Sequence, residues 1–140
     1  MDVPMTLARI LITETMDHQI IVLKERDGER CFPIRIGISE AIAIDRRLKG
    51  NAFVRPMTHD LLATVIQRLG GTLEKVVIND LRDVMVDGVP RGTFFAQLHI
   101  RQDGNVVEVD SRPSDAIALG VANDTPIFVR DWVLDTAANQ

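Results

Sequence analysis

The chain has 140 residues, a length that suits one domain with one hydrophobic core. Hydrophobic residues make up 46% of it and charged residues 26%, which excludes a disordered or low-complexity protein. A net charge of −4, with 4% aromatic residues and no Tyr, argues against a protein that coats nucleic acid nonspecifically. These values are compatible with an enzyme that contacts a few phosphate groups through a local arginine patch.

The first part of the chain predicts three strands and a helix. Runs of β-branched and apolar residues bounded by turn residues are typical of strands. The predicted strands are Leu7 to Glu14, Gln19 to Lys24, and Cys31 to Gly37, and the first two are joined by a turn at Met16-Asp17-His18. Apolar residues at helical spacing then predict a helix from Ser39 to Leu48, which Gly50 ends.

The middle of the chain predicts a second helix and a long antiparallel unit. After a loop from Asn51 to Pro56, an apolar stripe indicates a helix from about His59 to Leu69, with Thr58 as its N-cap. Alternating apolar residues then predict three strands, at Leu73 to Leu81, Thr93 to Arg101, and Val106 to Asp110. The segment from Val84 to Gly92 is predicted to form an extended hairpin arm with Asp87-Gly88 at its tip.

The last part of the chain predicts a third helix from Pro113 to about Ala122, a short strand from Pro126 to Val129, and a fraying tail from Asp135. Antiparallel groups of strands with helices between them favour an α+β fold over a regular βαβ layout. We therefore expect an α+β fold with a mostly antiparallel sheet and about three helices. A single domain is expected over residues 1–140, with its core at about residues 6–130.

The expected location is the cytoplasm. The one cysteine, Cys31, allows no disulfide within the chain, which fits a reducing compartment. The N-terminus lacks a basic region followed by an apolar run, so no signal peptide is predicted. No apolar stretch is long enough to cross a bilayer, and we expect no membrane partner.

A short internal repeat places similar chemistry at the start of each predicted helix. Ser39-Glu40 and Ser114-Asp115 both precede an apolar run that begins Ala-Ile-Ala, and Thr58-His59-Asp60 opens the remaining helix. Arg55-Pro56 and Arg112-Pro113 stand just before two of these starts. Helix capping explains each motif alone, because hydroxyl and carboxylate oxygens suit the unpaired N–H groups and the dipole of a first turn.

Together these groups would make a site for a phosphodiester if the three helix starts converge. The groups are two arginines, three carboxylates and one histidine, namely Arg55, Arg112, Glu40, Asp60, Asp115 and His59. Guanidinium groups suit phosphate, carboxylates suit Mg²⁺ or Mn²⁺, and histidine transfers protons near neutral pH. The alternative is an arginine–carboxylate network that only fixes helix positions. The basic residues Arg46, Arg47 and Lys49 are interpreted as a solvated helix face.

The sequence resembles the bifunctional nuclease domain family over roughly residues 6–130. The matching stretches are Phe32 to Gly37, Glu40 to Ile44, Arg55 to Leu62, and Asp110 to Ala118. The resemblance implies an α+β fold, a homo-oligomer expected to be a dimer, and nuclease activity on RNA and DNA, as attributed to plant members. The family's polar motif positions fall on Glu40, Arg55, Thr58, His59, Asp60, Arg112, Ser114 and Asp115. The predicted arm is a departure, since it is longer than the family's short turn.

The residue pattern and the resemblance give a first hypothesis of metal-assisted phosphodiester hydrolysis of RNA and DNA. Catalysis is assigned to Glu40, His59, Asp60 and Asp115. Substrate binding is assigned to Arg55, Thr58, Arg112 and Ser114, and binding of Mg²⁺ or Mn²⁺ to Glu40, Asp60 and Asp115. The alternative hypothesis is a non-enzymatic regulatory or interaction module, in which the same cluster binds an anionic, phosphate-bearing ligand or a partner protein. The third hypothesis is that the cluster has only a structural role, at a subunit interface.

Overall fold

One mixed β-sheet frames the protein in the residues that the computed structural model describes, which are 1–13, 15, 18–50 and 54–139. Its seven strands are β1 (Asp2–Leu11), β2 (Gln19–Glu25), β3 (Cys31–Ile36), β4 (Thr72–Val86), β5 (Val89–Gln102), β6 (Asn105–Ser111) and β7 (Ile127–Arg130). They are arranged in the order β3-β2-β1-β7-β4-β5-β6. Neighbours are antiparallel except for the parallel pair β7 and β4. The expected α+β fold with mostly antiparallel pairing is confirmed.

The same described residues contain four α-helices, one more than predicted. They are α1 (Ile38–Lys49), α2 (Thr58–Arg68), α3 (Pro113–Gly120) and α4 (Asp131–Ala138). The prediction that the chain frays from Asp135 is wrong, because helix α4 occupies most of that segment. This helix buries Val133, Leu134 and Ala137 against the core. In this described part of the chain, no helix is long and apolar enough to cross a bilayer.

The start of α2 differs from the prediction. The helix begins at Thr58, so Met57 is its N-cap and Thr58 is not. The backbone N–H of Met57 donates to the Asp60 carboxylate at 2.9 Å. The Asp60 carboxylate in the first turn therefore accepts from the N-cap backbone, and the capping role that the sequence pattern gave to the Thr58 hydroxyl is wrong. Several residues of the predicted turn, strand end and loop lie outside the described residues, namely Glu14, Met16, Asp17 and 51–53.

The sheet curls around one hydrophobic core. Phe32 of β3 and Phe94 of β5 stack with their ring centroids 5.3 Å apart, although four strands separate β3 from β5 in the sheet. The two ends of the sheet must therefore bend toward the same side. The enclosed core includes side chains from the sheet and from three helices that have almost no solvent exposure, among them Ile21, Ile44, Ile78, Ala96, Ile117 and Leu134.

Close helix packing brings three helix starts to one place. Helix α1 follows β3 directly and α3 follows β6, and α3 lies against both α1 and α2. Small residues in α3 permit this approach, since Ala116 and Ala118 are fully buried. Gly120 leaves no room for a side chain, because a Cβ there would lie 2.9 Å from the Cβ of Thr125. The position of α3 is thus fixed by close packing, and with it the position of the residues at its start.

The predicted hairpin arm is confirmed. Pairing of β7 with β4 stops at Ile78, and pairing of β6 with β5 stops at Ala96. Beyond these points β4 and β5 pair only with each other, up to Val86 opposite Val89. Asp87 and Gly88 at the tip have φ angles of 51° and 78°, as a two-residue hairpin turn of left-handed residues requires. The arm therefore projects beyond the sheet as a two-stranded ribbon.

Candidate functional site

Three acidic residues occupy the same position in three different helices. With Gly37, Met57 and Arg112 as N-caps, the third helical residue is Glu40 in α1, Asp60 in α2 and Asp115 in α3. The dipole of a first turn favours a carboxylate there by about 0.3–1 kcal/mol. The internal repeat in the sequence therefore has a local structural cause. The further partners of each acid are what distinguish them.

Four side chains from the regions around these helix starts form what we call the cleft cluster: Glu40, His59, Arg112 and Asp115. Arg112 donates from Nη1 to Glu40 Oε1 at 3.1 Å, and from Nε and Nη2 to Asp115 at 2.8 and 3.2 Å. His59 Nε2 lies 3.0 Å from Asp115 Oδ1. The Arg112 side chain stays 64% exposed in spite of these contacts. The structure thus brings four of the predicted site residues together.

Asp60 belongs to a separate group, called the buried network, with Arg46 and Arg47 of α1. It accepts a hydrogen bond from Arg46 Nη2 at 2.9 Å and another from Arg47 Nη1. Arg47 also donates to the backbone oxygens of Ala118 and Leu119, at 2.6 and 3.1 Å, near the end of α3. The Arg47 side chain is only 7% exposed. The interpretation of these arginines as a solvated face is wrong, because their charges neutralise Asp60 and link α1, α2 and α3.

The pKa values of both aspartates lie below the ordinary range. Burial raises the pKa of Asp60, but the Met57 N–H and the two arginines of the buried network lower it by more. Burial also raises the pKa of Asp115, and Arg112 and His59 lower it by more. The pKa of Arg112 is raised, chiefly by its hydrogen bond with Asp115. Both aspartates are therefore ionised at neutral pH.

A cleft of about 950 Å³ opens beside the cleft cluster. Much of its lining is apolar, and these side chains come from α1, α2, β5 and β6: Ile42, Leu62, Ile66, Leu98, Ile100 and Val109. Polar residues join the cleft cluster around it, namely Ser39, Arg46, Thr58, Asp110 and Ser111. An apolar cleft with a few convergent polar groups is the usual form of a small-ligand site.

Three of the predicted site residues do not line this cleft. Asp60 is engaged in the buried network, Ser114 is buried within α3, and Arg55 is exposed on the segment before α2. Thr58, predicted to bind substrate, does line it. Sequence reasoning did not select Ser39 and Ser111, although Ser39 belongs to the internal repeat and Ser111 precedes the Arg112-Pro113 pair.

The described residues contain no group of three or more His, Cys, Asp or Glu side chains placed to hold a metal ion. Two carboxylates, Glu40 and Asp115, nevertheless meet at Arg112. Mg²⁺ is often held by one or two carboxylates, with water and substrate phosphate oxygens as its other ligands. The described residues therefore form no all-protein metal cage, and a cation at Glu40 and Asp115 would need water or a ligand to complete its coordination.

The charges around the cleft are more acidic than basic. Glu40, Asp110 and Asp115 line it together with Arg112, while the other lining arginine, Arg46, is paired with Asp60. A phosphate that entered alone would be repelled by these carboxylates. A cation that accompanied the phosphate would remove that repulsion.

The fold and the site define an α+β protein in which arginine, histidine and carboxylates from helix starts border an apolar cleft. The sequence model of the bifunctional nuclease domain matches residues 21–140. The chain belongs to the bifunctional nuclease domain family, as its helix-start motifs indicated.

Relatives cover most of this chain. It is 36% identical over 128 residues to uncharacterized protein Rv1829 of Mycobacterium tuberculosis strain H37Rv, which covers 91% of this chain and 71% of that protein. Uncharacterized protein MT1877 of strain CDC 1551 gives the same values. Bifunctional nuclease 1 of Arabidopsis thaliana is 28% identical over 120 residues, covering 83% of this chain. This chain spans only 34% of the plant protein, so the plant name describes a much longer molecule.

Proposed function

We propose that this chain hydrolyses phosphodiester bonds of RNA and DNA at the cleft cluster. The observation that carries the proposal is the meeting of an exposed arginine, a histidine and two carboxylates beside a cleft that can admit a nucleotide. Membership of the bifunctional nuclease domain family and the similarity to a plant protein with that name support it.

Arg112 is the residue proposed to bind the phosphate. A guanidinium group has five N–H donors. Glu40 and Asp115 receive three described hydrogen bonds from Arg112, so this contact pattern leaves two N–H donors for a phosphate oxygen. The carboxylates hold the guanidinium in one orientation before the ligand arrives. Donors that are fixed in advance stabilise charge that develops on a phosphate without a cost of rearrangement.

His59 is proposed to transfer a proton. Its Nε2 is held by Asp115 and the residue lines the cleft, so Nδ1 is the ring nitrogen left to exchange a proton with the substrate. A carboxylate that orients a histidine is a recurring arrangement in acid–base catalysis.

Glu40 and Asp115 are proposed to hold Mg²⁺ or Mn²⁺ together with a phosphate oxygen. When bound, such an ion supplies an activated water and offsets phosphate charge. The proposal gives Asp60 no ligand role, because Asp60 does not line the cleft and its partner Arg47 is buried, whereas the partner of Asp115, Arg112, is exposed and can exchange that contact.

A non-enzymatic anion-binding module is the second candidate, and the apolar lining of the cleft favours it. Apolar side chains do not act directly on a phosphodiester, but they suit a ligand that has an anionic head and an apolar body. In that case Arg112 would hold the head, and the protein would show saturable binding without turnover.

A cleavage assay separates the two candidates. Purified protein is incubated with labelled single-stranded RNA and DNA in Mg²⁺, in Mn²⁺ and in EDTA. Arg112→Gln and His59→Gln are expected to lose at least tenfold in rate, because each removes a group that acts on the phosphate. The matched control is Arg30→Gln, since Arg30 pairs with Glu25, Asp131 and Asp135 and does not line the cleft.

Full cleavage by Arg112→Gln would identify a contaminating nuclease and remove the proposal. No cleavage by the unchanged protein in either metal would remove it as well. Thermal shift with nucleotides and phosphorylated metabolites then tests the second candidate, because a ligand that binds only the folded state raises the melting temperature. That shift should vanish in Arg112→Gln and persist in Arg30→Gln.

A further inference from the structure

Strand β6 is an open edge of the sheet. Within the described residues it pairs only with β5, in a register without a bulge from Asn105 to Ser111. Residues 105–110 are all exposed, so no described part of the chain covers the strand. Edge strands are usually protected by proline, lysine, a bulge or a short length, because their unpaired backbone groups can pair with another chain. Strand β6 has seven residues and no proline, lysine or bulge, whereas the edge strand β3 contains Pro33.

The register shows which backbone groups of β6 are unpaired. A two-residue turn joins β5 to β6, so the flanking residues Gln102 and Asn105 form a hydrogen-bonded pair. Along antiparallel strands such pairs alternate with pairs whose N–H and C=O groups point away from the partner strand. Val106, Glu108 and Asp110 belong to the second kind. Their outward N–H and C=O groups form a row with which a further strand can pair.

The side chains of β6 alternate between apolar and acidic. Val109 lies opposite Leu98, which lines the cleft, so Val107 and Val109 stand on the cleft side of the strand. Glu108 and Asp110 alternate with these valines. A strand added to this edge would meet carboxylates on one of its faces and valines on the other.

The carboxylates decide which kind of partner fits the edge. The contact between Glu108 Oε2 and His99 Nε2, at 3.8 Å, leaves the Glu108 side chain 54% exposed. Like charges opposite each other in a sheet are destabilising, so a second copy of β6 suits this edge poorly, because it brings the same acids with it. A nucleic-acid backbone is repelled for the same reason. A strand with lysine or arginine at alternate positions is attracted, because opposite charges stabilise cross-strand pairs.

We propose that β6 binds an extended peptide segment of another protein, in which basic residues alternate with apolar residues. The segment adds one strand to the sheet through the outward backbone groups of β6. Its basic side chains lie opposite Glu108 and Asp110, and its apolar side chains continue the surface of Val107 and Val109. Because β6 leads directly into Arg112, the bound segment lies along the border of the cleft.

Fluorescence polarisation with the full chain tests the charge preference. The probe is a labelled peptide as long as β6, seven residues, in which lysine and valine alternate. A peptide with glutamate in place of every lysine is its control. The lysine peptide should bind saturably and at least tenfold more tightly than the glutamate peptide. Glu108→Lys should reverse this preference, and Glu29→Lys should not, because Glu29 is exposed in the turn before β3.

Methylation of backbone nitrogens in the lysine peptide separates strand pairing from charge attraction alone. In an added strand only alternate N–H groups face β6, so methylation of one set of nitrogens should abolish binding and methylation of the other set should not. Sensitivity at the lysine nitrogens indicates an antiparallel strand, and sensitivity at the valine nitrogens a parallel one. Val106→Pro removes an outward donor of β6 and should also weaken binding, with circular dichroism as the check on folding.

Three results would overturn the proposal. The first is no binding of the lysine peptide to the unchanged protein, and the second is equal binding of the lysine and glutamate peptides. The third is equal binding of the two methylated peptides, because attraction by charge does not depend on which nitrogens are methylated. Single-stranded RNA that binds the unchanged protein and loses its affinity in Val106→Pro would also contradict it, since the edge would then serve nucleic acid.

Discussion

The contrast between Asp60 and Asp115 gives a sharp test of the two charge networks. Both are aspartates at the third position of a helix, so Asp→Asn removes the same favourable interaction with the first turn in each. They differ in the arginine that is left behind. Asp60→Asn leaves Arg47 with its side chain 7% exposed and without a counter-charge, whereas Asp115→Asn leaves Arg112 with 64% exposure.

The expected losses in unfolding free energy follow from that difference. Removing one partner of a buried ion pair costs about 3–5 kcal/mol, and we expect about 3 for Asp60→Asn because its side chain is still 24% exposed. Exposed pairs contribute about 0–1 kcal/mol, so Asp115→Asn should cost about 1 at most. The gap of about 2 kcal/mol corresponds to a difference of roughly 7 °C in melting temperature for a chain of this size.

Urea unfolding followed by circular dichroism measures both values. The slope m of the unfolding free energy against urea concentration should be equal in the two variants. The urea concentration at the midpoint then reports the difference in stability alone. A further variant, Arg47→Met with Asp60→Asn, should recover part of the loss, because an apolar side chain needs no counter-charge. Equal destabilisation by Asp60→Asn and Asp115→Asn would refute the division into a buried network and an exposed cluster.

Two further predictions follow from the same residues. Because the folded-state pKa of both Asp60 and Asp115 is lowered, their stabilising contribution is complete above the unfolded value of about 4 and is lost as pH falls below it. Acid titration of the unfolding free energy should show this fall, and Asp60→Asn should flatten it. Gly37→Ala would push the new Cβ into the Glu40 carboxylate, so it should displace Glu40 from Arg112. The expected result is a several-fold loss of cleavage or binding. The loss of unfolding free energy should be less than about 1 kcal/mol, since Gly37 has an ordinary backbone conformation. Unchanged cleavage and binding would show that function does not depend on the contact between Glu40 and Arg112.

Local signals predicted most of the fold. Strand alternation and turn residues located the strands, although β1 begins at Asp2, five residues before its predicted start, and Asp87-Gly88 located the arm. Helix α4 was missed because Asp131–Ala138 is short and lies at the chain end, where fraying is the usual expectation. Its stability comes from burial of Val133 and Leu134 by distant strands, which no local pattern shows.

Most residues of the site could be predicted from the sequence, but their division into the cleft cluster and the buried network could not. The repeat at the helix starts identified Glu40, His59, Arg112 and Asp115, which the structure brings together. The repeat could not show that Asp60 belongs to the buried network, because all three acids stand at the same position in the first turn of a helix. The partners of Asp60 come from the far end of α1, and the orientation of that helix is set by the packing of α3 in the core.

That division has a functional consequence. A site for phosphate needs an arginine whose carboxylate partners can be shared or exchanged when the ligand arrives. The pairs of Arg112 are exposed, so their exchange costs about 1 kcal/mol or less each. Loss of the carboxylate partner of Arg47 would leave an uncompensated buried charge, at a cost several times larger. Of these two arginines, Arg112 is therefore the one able to give a phosphate its donors while the helices stay in place.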